Sequence, residues 1–234
     1  MKTALVTGGA SGIGAAIATR LIADGFFVIS ADLAPPHGQS GSKHRLNISV
    51  DLTLEAARRN LLEVVQSHGR LDVLVNNAGI FARTPIRSST DDQTAKKLLA
   101  VNAFVPRTLI EMLSAILRRS GTGSVINIAS VRAFTSSHQA AAYSVSKAML
   151  VDDTQLYART LGPRVRVNAV APGDIQTAMT PREPDILRDL VARVALKRLG
   201  MPAEVAAVVS FLASPAATSI NGQVINVDGG FLCT

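Results

Sequence analysis

Tyr143 and Lys147 are the residues of this sequence whose types and spacing point most directly to chemistry. Residues four apart on a helix lie one above the other on the same face. A phenol exchanges its proton poorly near neutral pH because its ordinary pKa is about 10, and an ammonium group held beside it lowers that pKa. The pair therefore has the residue types for proton transfer to or from a substrate oxygen. An ordinary surface Tyr and Lys on one helix would look the same in the sequence.

A glycine-rich stretch near the start of the chain has the spacing of a phosphate-binding turn. It lies between an apolar strand predicted over residues 2–6 and a helix predicted over 15–23. Glycines let the backbone turn tightly and let a pyrophosphate approach, while free N–H groups and the helix dipole face the anion. A plain strand-to-helix turn is the alternative, but the context favours a dinucleotide site. The stretch reads Thr7-Gly8-Gly9-Ala10-Ser11-Gly12-Ile13-Gly14.

An acidic residue, Asp32, follows the second predicted strand, which covers residues 26–30. It stands near the spacing of about 20 residues at which a carboxylate accepts hydrogen bonds from the adenosine ribose hydroxyls. The same carboxylate repels a 2′-phosphate. No Arg or Lys lies in the glycine-rich stretch or directly after Asp32, so we predict NAD rather than NADP. A helix cap or turn residue is the alternative role for Asp32.

Small and polar residues also follow the next two predicted strands. Asp51 and its neighbour Leu52 come after the strand over 46–50, where we expect contact with an adenine ring or, alternatively, a cap of the next helix. Asn76-Asn77-Ala78-Gly79 comes after an apolar strand over 71–75. Small residues at this position allow a ligand to approach closely. The two Asn side chains can also bridge neighbouring strands.

Two further polar residues are predicted to reach the same edge of the sheet. Asn102 lies inside a helix over 91–118, where Asn is intrinsically unfavourable. It can interrupt the helical ladder and hold a water near the site, or it can be a buried structural residue. Pro106 in the same helix predicts a kink. Ser130 ends the fifth predicted strand, and its spacing from Tyr143 brings its hydroxyl to the Tyr143 face of the following helix.

Strands alternate with helices along the whole chain, which predicts an α/β fold built on a single doubly wound parallel sheet with helices on both faces. We expect one domain over residues 1–234 and no separate substrate domain. The remaining predicted elements are helices over 54–68, 140–160 and 202–212 and strands over 164–171 and 223–227. A loop is predicted over 35–43.

Composition excludes several classes of protein. Hydrophobic residues make up 47% and charged residues 18% of the 234 residues, which is typical of a globular protein. Cys233 is the single cysteine and the four histidines are scattered, so we expect no disulfide within the chain and no metal site. The net charge of +7 is dispersed, and Trp is absent, so nucleic-acid binding is not expected. Without a signal segment or a long apolar run, a soluble cytoplasmic protein that binds no membrane is the expectation.

Taken together, the motifs resemble those of the short-chain dehydrogenase/reductase family over essentially the whole chain. That resemblance implies a Rossmann-like fold and a nicotinamide dinucleotide as cofactor. The motifs occur in the order typical of the family. They are Thr7-Gly8-x-x-x-Gly12-x-Gly14, Asn76-Asn77-Ala78-Gly79, Asn102, Ser130, Tyr143-x-x-x-Lys147, Pro172-Gly173-x-Ile175-x-Thr177 and Val227-Asp228-Gly229-Gly230.

The resemblance implies a role for each catalytic residue. Tyr143 would be the general acid and base, and Ser130 would hydrogen-bond the substrate oxygen as its charge develops. Lys147 would lower the Tyr143 pKa and hold the nicotinamide ribose. Asn102 would position a water that links Lys147 to solvent. The turn from Pro172 to Thr177 would lie along the nicotinamide.

The full set of expected cofactor contacts combines these motifs with the strand ends. It comprises Thr7, Gly8, Ser11, Gly12, Ile13, Gly14, Asp32, Asp51, Leu52, Asn76, Asn77, Ala78, Gly79, Tyr143, Lys147, Pro172, Gly173, Ile175 and Thr177.

The sequence departs from the family pattern where the family shapes its substrate pocket. Ala133 replaces a glycine three residues after Ser130. The expected pocket residues are Phe81, Arg83, Arg132 and His138. The two arginines would clamp a carboxylate or phosphate of the substrate, unless they are simply solvated. The segment after Thr177 is brief, which favours an open pocket for a small substrate.

The implied function is an NAD-dependent oxidoreductase that interconverts a secondary alcohol and a ketone on a sugar, cyclitol, dihydrodiol or small hydroxy acid. An NADP-linked 3-oxoacyl reductase is the alternative enzyme, and the Asp32 charge argues against it. A non-catalytic dinucleotide sensor is the alternative outside enzymes, and the intact catalytic set argues against that. Members of the family commonly pair their two long helices, here 91–118 and 140–160, so a homodimer or homotetramer is expected.

Overall fold

The computed structural model describes residues 1–34, 43–83, 92–136, 138–180 and 183–233. Within these ranges, seven parallel strands form one sheet in the order β3-β2-β1-β4-β5-β6-β7. The order reverses between β1 and β4, which makes the sheet doubly wound and confirms the predicted fold class. The strands are β1 (Lys2–Thr7), β2 (Phe26–Asp32), β3 (Arg45–Ser49), β4 (Val73–Asn76), β5 (Gly123–Ile128), β6 (Val165–Pro172) and β7 (Val224–Val227).

Helices cover both faces of this sheet because its strands are apolar on both sides. Leu5 of β1 packs into one core with α2, α4 and α5, while its neighbours Ala4 and Val6 pack into a second core with α1 and α7. Successive strand residues point to opposite faces, so one short strand contributes to both cores. The helices are α1 (Gly12–Ala23), α2 (Glu55–Ser67), α3 (Asp92–Leu99), α4 (Val105–Arg119), α5 (Ala141–Leu161), α6 (Pro184–Ala192) and α7 (Pro202–Ala213).

The predicted strands and helices are confirmed with shifts of a few residues at their ends, apart from the helix over 91–118. A π-helical turn, Ala100–Phe104, divides that segment into α3 and α4. The interruption therefore lies at Asn102, as its helix-disfavouring side chain suggested, and not at Pro106. Pro106 instead lies in the first turn of α4, directly after the π-helical turn. The loop predicted over 35–43 lies almost entirely outside the described residues.

The helical run Gln93–Arg119 is long and apolar, although no membrane span was expected from the sequence. By length and composition alone it would pass for one, with a mean hydropathy of 1.4. Its apolar residues Leu109, Ile110 and Leu113 are buried in the core between α2, α5 and the sheet. Core helices of soluble proteins have the same composition, so the run is explained by its packing.

A buried carboxylate, Asp72, ties the start of β4 to both neighbouring strands. Its Oδ2 accepts a hydrogen bond from the Thr3 N–H (2.9 Å), and its Oδ1 accepts one from the Thr122 hydroxyl (3.0 Å). Arg70 donates to both oxygens at 2.7 Å. Burial by itself would raise the pKa of Asp72, but these hydrogen bonds and the Arg70 charge outweigh it and hold the pKa below its ordinary value.

We predict that Asp72→Ala lowers the free energy of unfolding by about 3 kcal/mol at neutral pH, because it leaves several buried donors without an acceptor. The lowered pKa sets the pH dependence. Asp72 contributes its stability above the pKa of about 3.9 that it has in the unfolded chain, and loses it as the pH falls toward the folded-state pKa. Urea unfolding at pH 7 and near pH 3 should therefore show a difference between wild type and variant that shrinks in acid.

Asp152→Ala is the control, since Asp152 is an exposed carboxylate on α5. We expect it to change the stability by no more than about 0.5 kcal/mol at either pH. Equal losses in the two variants would contradict a structural role for Asp72.

Candidate functional site

A cavity of about 530 Å³ opens at the carboxyl edge of the sheet. Its walls come from the turns after β1, β2, β3, β4, β5 and β6, which is where open parallel sheets bind their ligands. Most of the expected cofactor contacts border it. They are Gly8, Ser11, Gly12, Ile13, Gly14, Asp32, Asp51, Leu52, Asn77, Ala78, Gly79, Tyr143, Lys147, Pro172, Gly173, Ile175 and Thr177.

The glycine turn has the geometry of a cradle for an anion. Gly8 and Gly12 have positive φ angles of 65° and 53°, which favour glycine. A Cβ atom on Gly14 would lie only 2.0 Å from the Gly8 carbonyl oxygen, so this position excludes any side chain. The turn leads directly into α1, whose cap residue Ser11 makes no side-chain cap bond within the described chain. The first N–H groups of α1 are therefore left to face the cavity.

Asp32 is held at the cavity by the backbone around it. Its Oδ2 accepts a hydrogen bond from the Ala10 N–H of the glycine turn (2.9 Å), and its Oδ1 accepts one from the Ala34 N–H (3.3 Å). The carboxylate thus lies at the end of β2, where the sequence predicted a contact with the ribose hydroxyls.

Asp51 does not cap the next helix, since the cap residue of α2 is Leu54 and makes no side-chain cap bond. It borders the cavity, and its Oδ1 also accepts hydrogen bonds from the Thr53 N–H (2.9 Å) and hydroxyl (2.7 Å). These bonds, with the charge of Lys97, hold its pKa below the ordinary value. Lys97 borders the cavity as well and was not predicted from the sequence. Lys97 lies on α3 outside any local motif, so no pattern in the sequence would have identified it.

Thr7 and Asn76 were expected to contact the cofactor, but neither borders the cavity as the described residues define it. Both hold the strands together instead. The Thr7 hydroxyl accepts from the N–H groups of Asn77 and Ala78 (3.0 Å each). Asn76 Nδ2 donates to Asn127 Oδ1 on β5 (2.9 Å), which confirms the predicted bridging role of this Asn pair. Both residues lie within strands, so these contacts form between neighbouring strands of the sheet.

The side chains of Ser130, Tyr143 and Lys147 meet at the inner part of the cavity. Ser130 Oγ accepts from the Arg132 N–H (3.2 Å), and its hydroxyl also hydrogen-bonds Tyr143. Lys147 is buried, and its Nζ donates to the Ile128 carbonyl (2.7 Å) and lies 5.9 Å from the centre of the Tyr143 ring. Ser130 at the end of β5 therefore meets the Tyr143 face of α5, as the spacing in the sequence predicted.

The charge states differ from the sequence prediction. Burial raises the pKa of Tyr143 above its ordinary value and outweighs the lowering by the Ser130 hydrogen bond and the Arg132 charge. Lys147 does not produce the predicted net lowering of the Tyr143 pKa. Burial lowers the pKa of Lys147 itself to about 8. Lys147 lies so deep in the protein that the cost of desolvating its own charge dominates.

Asn102 lies behind this cluster and is fully buried. Its side chain pairs with both backbone groups of Ile80, accepting from the N–H and donating to the carbonyl at 2.9 Å each. Its second amide N–H donates to Ser146 Oγ (3.1 Å), and that hydroxyl donates to the Tyr143 carbonyl (2.7 Å). Ser146 was not predicted as a site residue. The only signal for it was its position on the same helix, between Tyr143 and Lys147.

The expected pocket residues separate into two groups. Phe81 borders the cavity, and its ring packs edge-on against Tyr143 with 5.1 Å between ring centres. Arg83 and His138 are exposed and do not border the cavity as described. Arg132 also lies off the cavity wall, with its guanidinium 5.5 Å from the centre of the Phe231 ring. The clamp of Arg83 and Arg132 on an anionic substrate group stays a prediction, and the charge of Arg132 acts on Tyr143.

Comparison with known proteins places the chain among oxidoreductases. The family model described as Enoyl-(Acyl carrier protein) reductase matches residues 8–232. The 3-oxoacyl-[acyl-carrier-protein] reductase FabG of Thermotoga maritima is 35% identical over 99% of this chain and 98% of that protein.

Two solved structures are similar along the whole chain. Ligand-free aldohexose dehydrogenase of Thermoplasma acidophilum has a TM-score of 0.92 at 30% identity and matches 100% of this chain and 94% of its own. A putative NAD(P) dependent gluconate 5-dehydrogenase of Beutenbergia cavernae, with NADP bound at low occupancy, has a TM-score of 0.91 at 33% identity and matches 100% and 97%.

The link between Asn102 and Ser146 generates a stability prediction. Ser146→Ala should lower the free energy of unfolding by about 2 kcal/mol, because a buried amide N–H of Asn102 loses its acceptor. Ser144 is the matched control, since it is buried on the same helix and its hydroxyl has no partner among the described residues. Ser144→Ala should be neutral or stabilising in urea unfolding. Equal losses would show that the Asn102 contact contributes nothing specific.

Proposed function

The chain belongs to the short-chain dehydrogenase/reductase family, and from this premise we propose that it transfers hydride between NAD(H) and a small secondary alcohol or ketone. It is an oxidoreductase that acts on CH–OH groups, with a fold that binds NAD(P). One observation carries the proposal. Ser130, Tyr143 and Lys147 share one cavity with the glycine turn and Asp32.

The residues around the cavity fit a nicotinamide dinucleotide. The first N–H groups of α1 would hold its pyrophosphate, and the lack of a Cβ on Gly14 lets the start of α1 pack close to Gly8 and Asn77 at the cavity. Asp32 would accept hydrogen bonds from the adenosine ribose, and Lys147 would hold the second ribose. The turn from Pro172 to Thr177 would lie along the nicotinamide. When bound, this group supplies or accepts the hydride.

The protein's own task is to move a proton and to stabilise charge on the substrate oxygen. Tyr143 would donate its proton to that oxygen in reduction and accept it in oxidation. Ser130 would donate a hydrogen bond to the same oxygen. Lys147, with a pKa of about 8, would still be mostly charged at pH 7 and would assist both steps.

Asn102 would position the water that exchanges protons with Lys147. The two side-chain N–H groups of Asn102 already donate to the Ile80 carbonyl and to Ser146 Oγ. The backbone of the π-helical turn, where the regular helical hydrogen bonds are interrupted, would therefore bind the water.

We prefer NAD because the Asp32 carboxylate would meet a 2′-phosphate with like charge. An NADP-linked 3-oxoacyl reductase is the second candidate, and the name of the Thermotoga maritima relative favours it. The positive charge of Lys97 at the cavity wall would also attract the additional phosphate of NADP. These two observations make the cofactor preference the point to measure first.

The proposed substrate is small and uncharged near the reacting carbon. Phe81 packs against Tyr143 at the cavity, and Ala178 and Met179 also border it, whereas Arg83 and His138 are exposed and are not part of the cavity wall as the described residues define it. Neutral sugars and related polyols fit this wall, and the similarity to the aldohexose dehydrogenase supports them.

We also propose a cytoplasmic homodimer or homotetramer that pairs the helices around α4 and α5. Exposed apolar residues on the adjoining π turn and on α5 support that pairing. They are Phe104, Val145 and Leu156.

Paired titration with NADH and NADPH, followed by nicotinamide fluorescence, tests the cofactor assignment. We expect tighter binding of NADH in the wild type. Asp32→Ser should improve NADPH binding relative to NADH about tenfold, since it removes one like-charge contact. Asp51→Ser removes another carboxylate at the cavity and should change the ratio less. Unchanged selectivity in Asp32→Ser would mean that Asp32 only caps the turn.

The proton-transfer assignment is tested on Tyr143. Tyr143→Phe should lower turnover at least about 100-fold while NADH binding stays nearly intact, because the substitution removes only the phenolic hydroxyl that transfers the proton. Tyr157→Phe makes the same change on the same helix, where the hydroxyl donates to Glu111 (2.5 Å), and should keep turnover within a few-fold of wild type. A Tyr143→Phe enzyme with a near-normal rate would disprove the role.

A further inference from the structure

Arg45, the first residue of β3, carries a guanidinium group that is buried against the glycine turn. It is 9% exposed, and its Nη2 donates to the Gly9 carbonyl (2.8 Å) and to Ser30 Oγ (3.0 Å). Its Nε donates to Asn47 Oδ1 (2.7 Å). Arg45 pairs in register with Val28, so its side chain must run along the sheet to reach the turn. A charge is buried in this way only when hydrogen bonds compensate it.

The Gly9 carbonyl and the Ala10 N–H belong to one peptide unit. Arg45 donates to its carbonyl, and Asp32 Oδ2 accepts from its N–H at 2.9 Å. This single peptide is therefore held between a guanidinium on one side and a carboxylate on the other. The surroundings leave it little freedom, since a Cβ on Gly9 would lie 2.3 Å from Ser30 Oγ.

The orientation of this peptide decides what Asp32 meets. With the carbonyl fixed on Arg45, the N–H faces Asp32 and holds the carboxylate at the end of β2. If the peptide rotated, its carbonyl oxygen would approach the carboxylate, and two acceptors would repel each other. The Arg45 hydrogen bond is thus what keeps the Asp32 side chain in its place at the cavity.

We propose that Arg45 is a positioning residue for cofactor selection, which acts through the Gly9–Ala10 peptide to hold Asp32 where it favours NADH over NADPH. This inference rests on the proposed function. Arg45 itself contributes no atom to the cavity wall, as the described residues define it, so its influence is transmitted by the peptide.

The experiment compares the NADH to NADPH affinity ratio in four proteins, namely wild type, Arg45→Met, Asp32→Ser and the double variant. Arg45→Met should weaken NADH binding about tenfold and lower the ratio, with kcat at saturating NADH within about twofold of wild type. In the Asp32→Ser background, Arg45→Met should leave the ratio unchanged, because residues in one network are not additive. A merely structural role would not produce this dependence on Asp32.

Arg166→Met is the matched control. Arg166 is also a strand arginine, half-buried on β6, and it donates to the backbone carbonyls of Leu212 (2.8 Å) and Ile220 (3.4 Å), away from the cavity. The ratio should stay at the wild-type value in this variant. A matching change in Arg166→Met would overturn the proposal, since any loss of a packed arginine would then have the same effect.

Two other results also overturn it. If Arg45→Met raises the preference for NADH, the guanidinium attracts the 2′-phosphate directly. If the ratio falls equally with and without Asp32, the two residues act independently. A wild type that binds neither nucleotide would refute the proposed function itself, whereas an Asp32→Ser response without an Arg45→Met response would refute only this inference.

If circular dichroism shows that Arg45→Met does not fold, Arg45→Lys replaces it in the experiment. Lysine keeps the charge but lacks the planar fork that reaches two acceptors. The ratio should then fall by at least about threefold, and an unchanged ratio would overturn the proposal.

Discussion

The close approach of the glycine turn to the end of β4 is the constraint on which the rest of the site depends. Asn77 Nδ2 donates to the carbonyls of Thr7 (2.9 Å) and Gly8 (3.0 Å), and Gly14 has no room for a Cβ between them. This contact places the start of α1 over the edge of the sheet. The free N–H groups of the helix then face the same cavity that β4, β5 and α5 border.

The catalytic side chains obey a second constraint, which is burial. Burial raises the pKa of Tyr143 further above neutral pH, and it lowers the pKa of Lys147 to about 8. In the ligand-free protein the site therefore holds a neutral phenol, which is suited to give a proton to a ketone oxygen. The oxidation direction needs additional positive charge near the phenol, and Arg132 is the described residue whose charge acts on Tyr143 in that sense.

The sequence identified most of the fold and much of the site because both depend on local patterns. Alternating apolar residues predicted the strands, and glycines with strand-end polar residues predicted the cavity wall. The sequence did not predict contacts between residues that are far apart along the chain. Arg45 contacts Gly9 across 36 residues of sequence, and Asn102 contacts Ser146 across 44. No periodicity in the sequence connects such pairs.

Substrate selection depends on residues other than the catalytic ones. The catalytic residues specify only that a CH–OH group reacts, since any oxygen that reaches Tyr143 meets the same donors. Selection must then come from the rest of the cavity wall, where Phe81 packs against Tyr143 and where Ala178 and Met179 add further apolar surface. None of them offers a charge or a strong hydrogen-bond donor. A carboxylate or phosphate that lay against these three side chains would lose its hydration without compensation, whereas Lys97 on the cavity wall and the Arg132 charge that acts on Tyr143 are the described cations that would favour one.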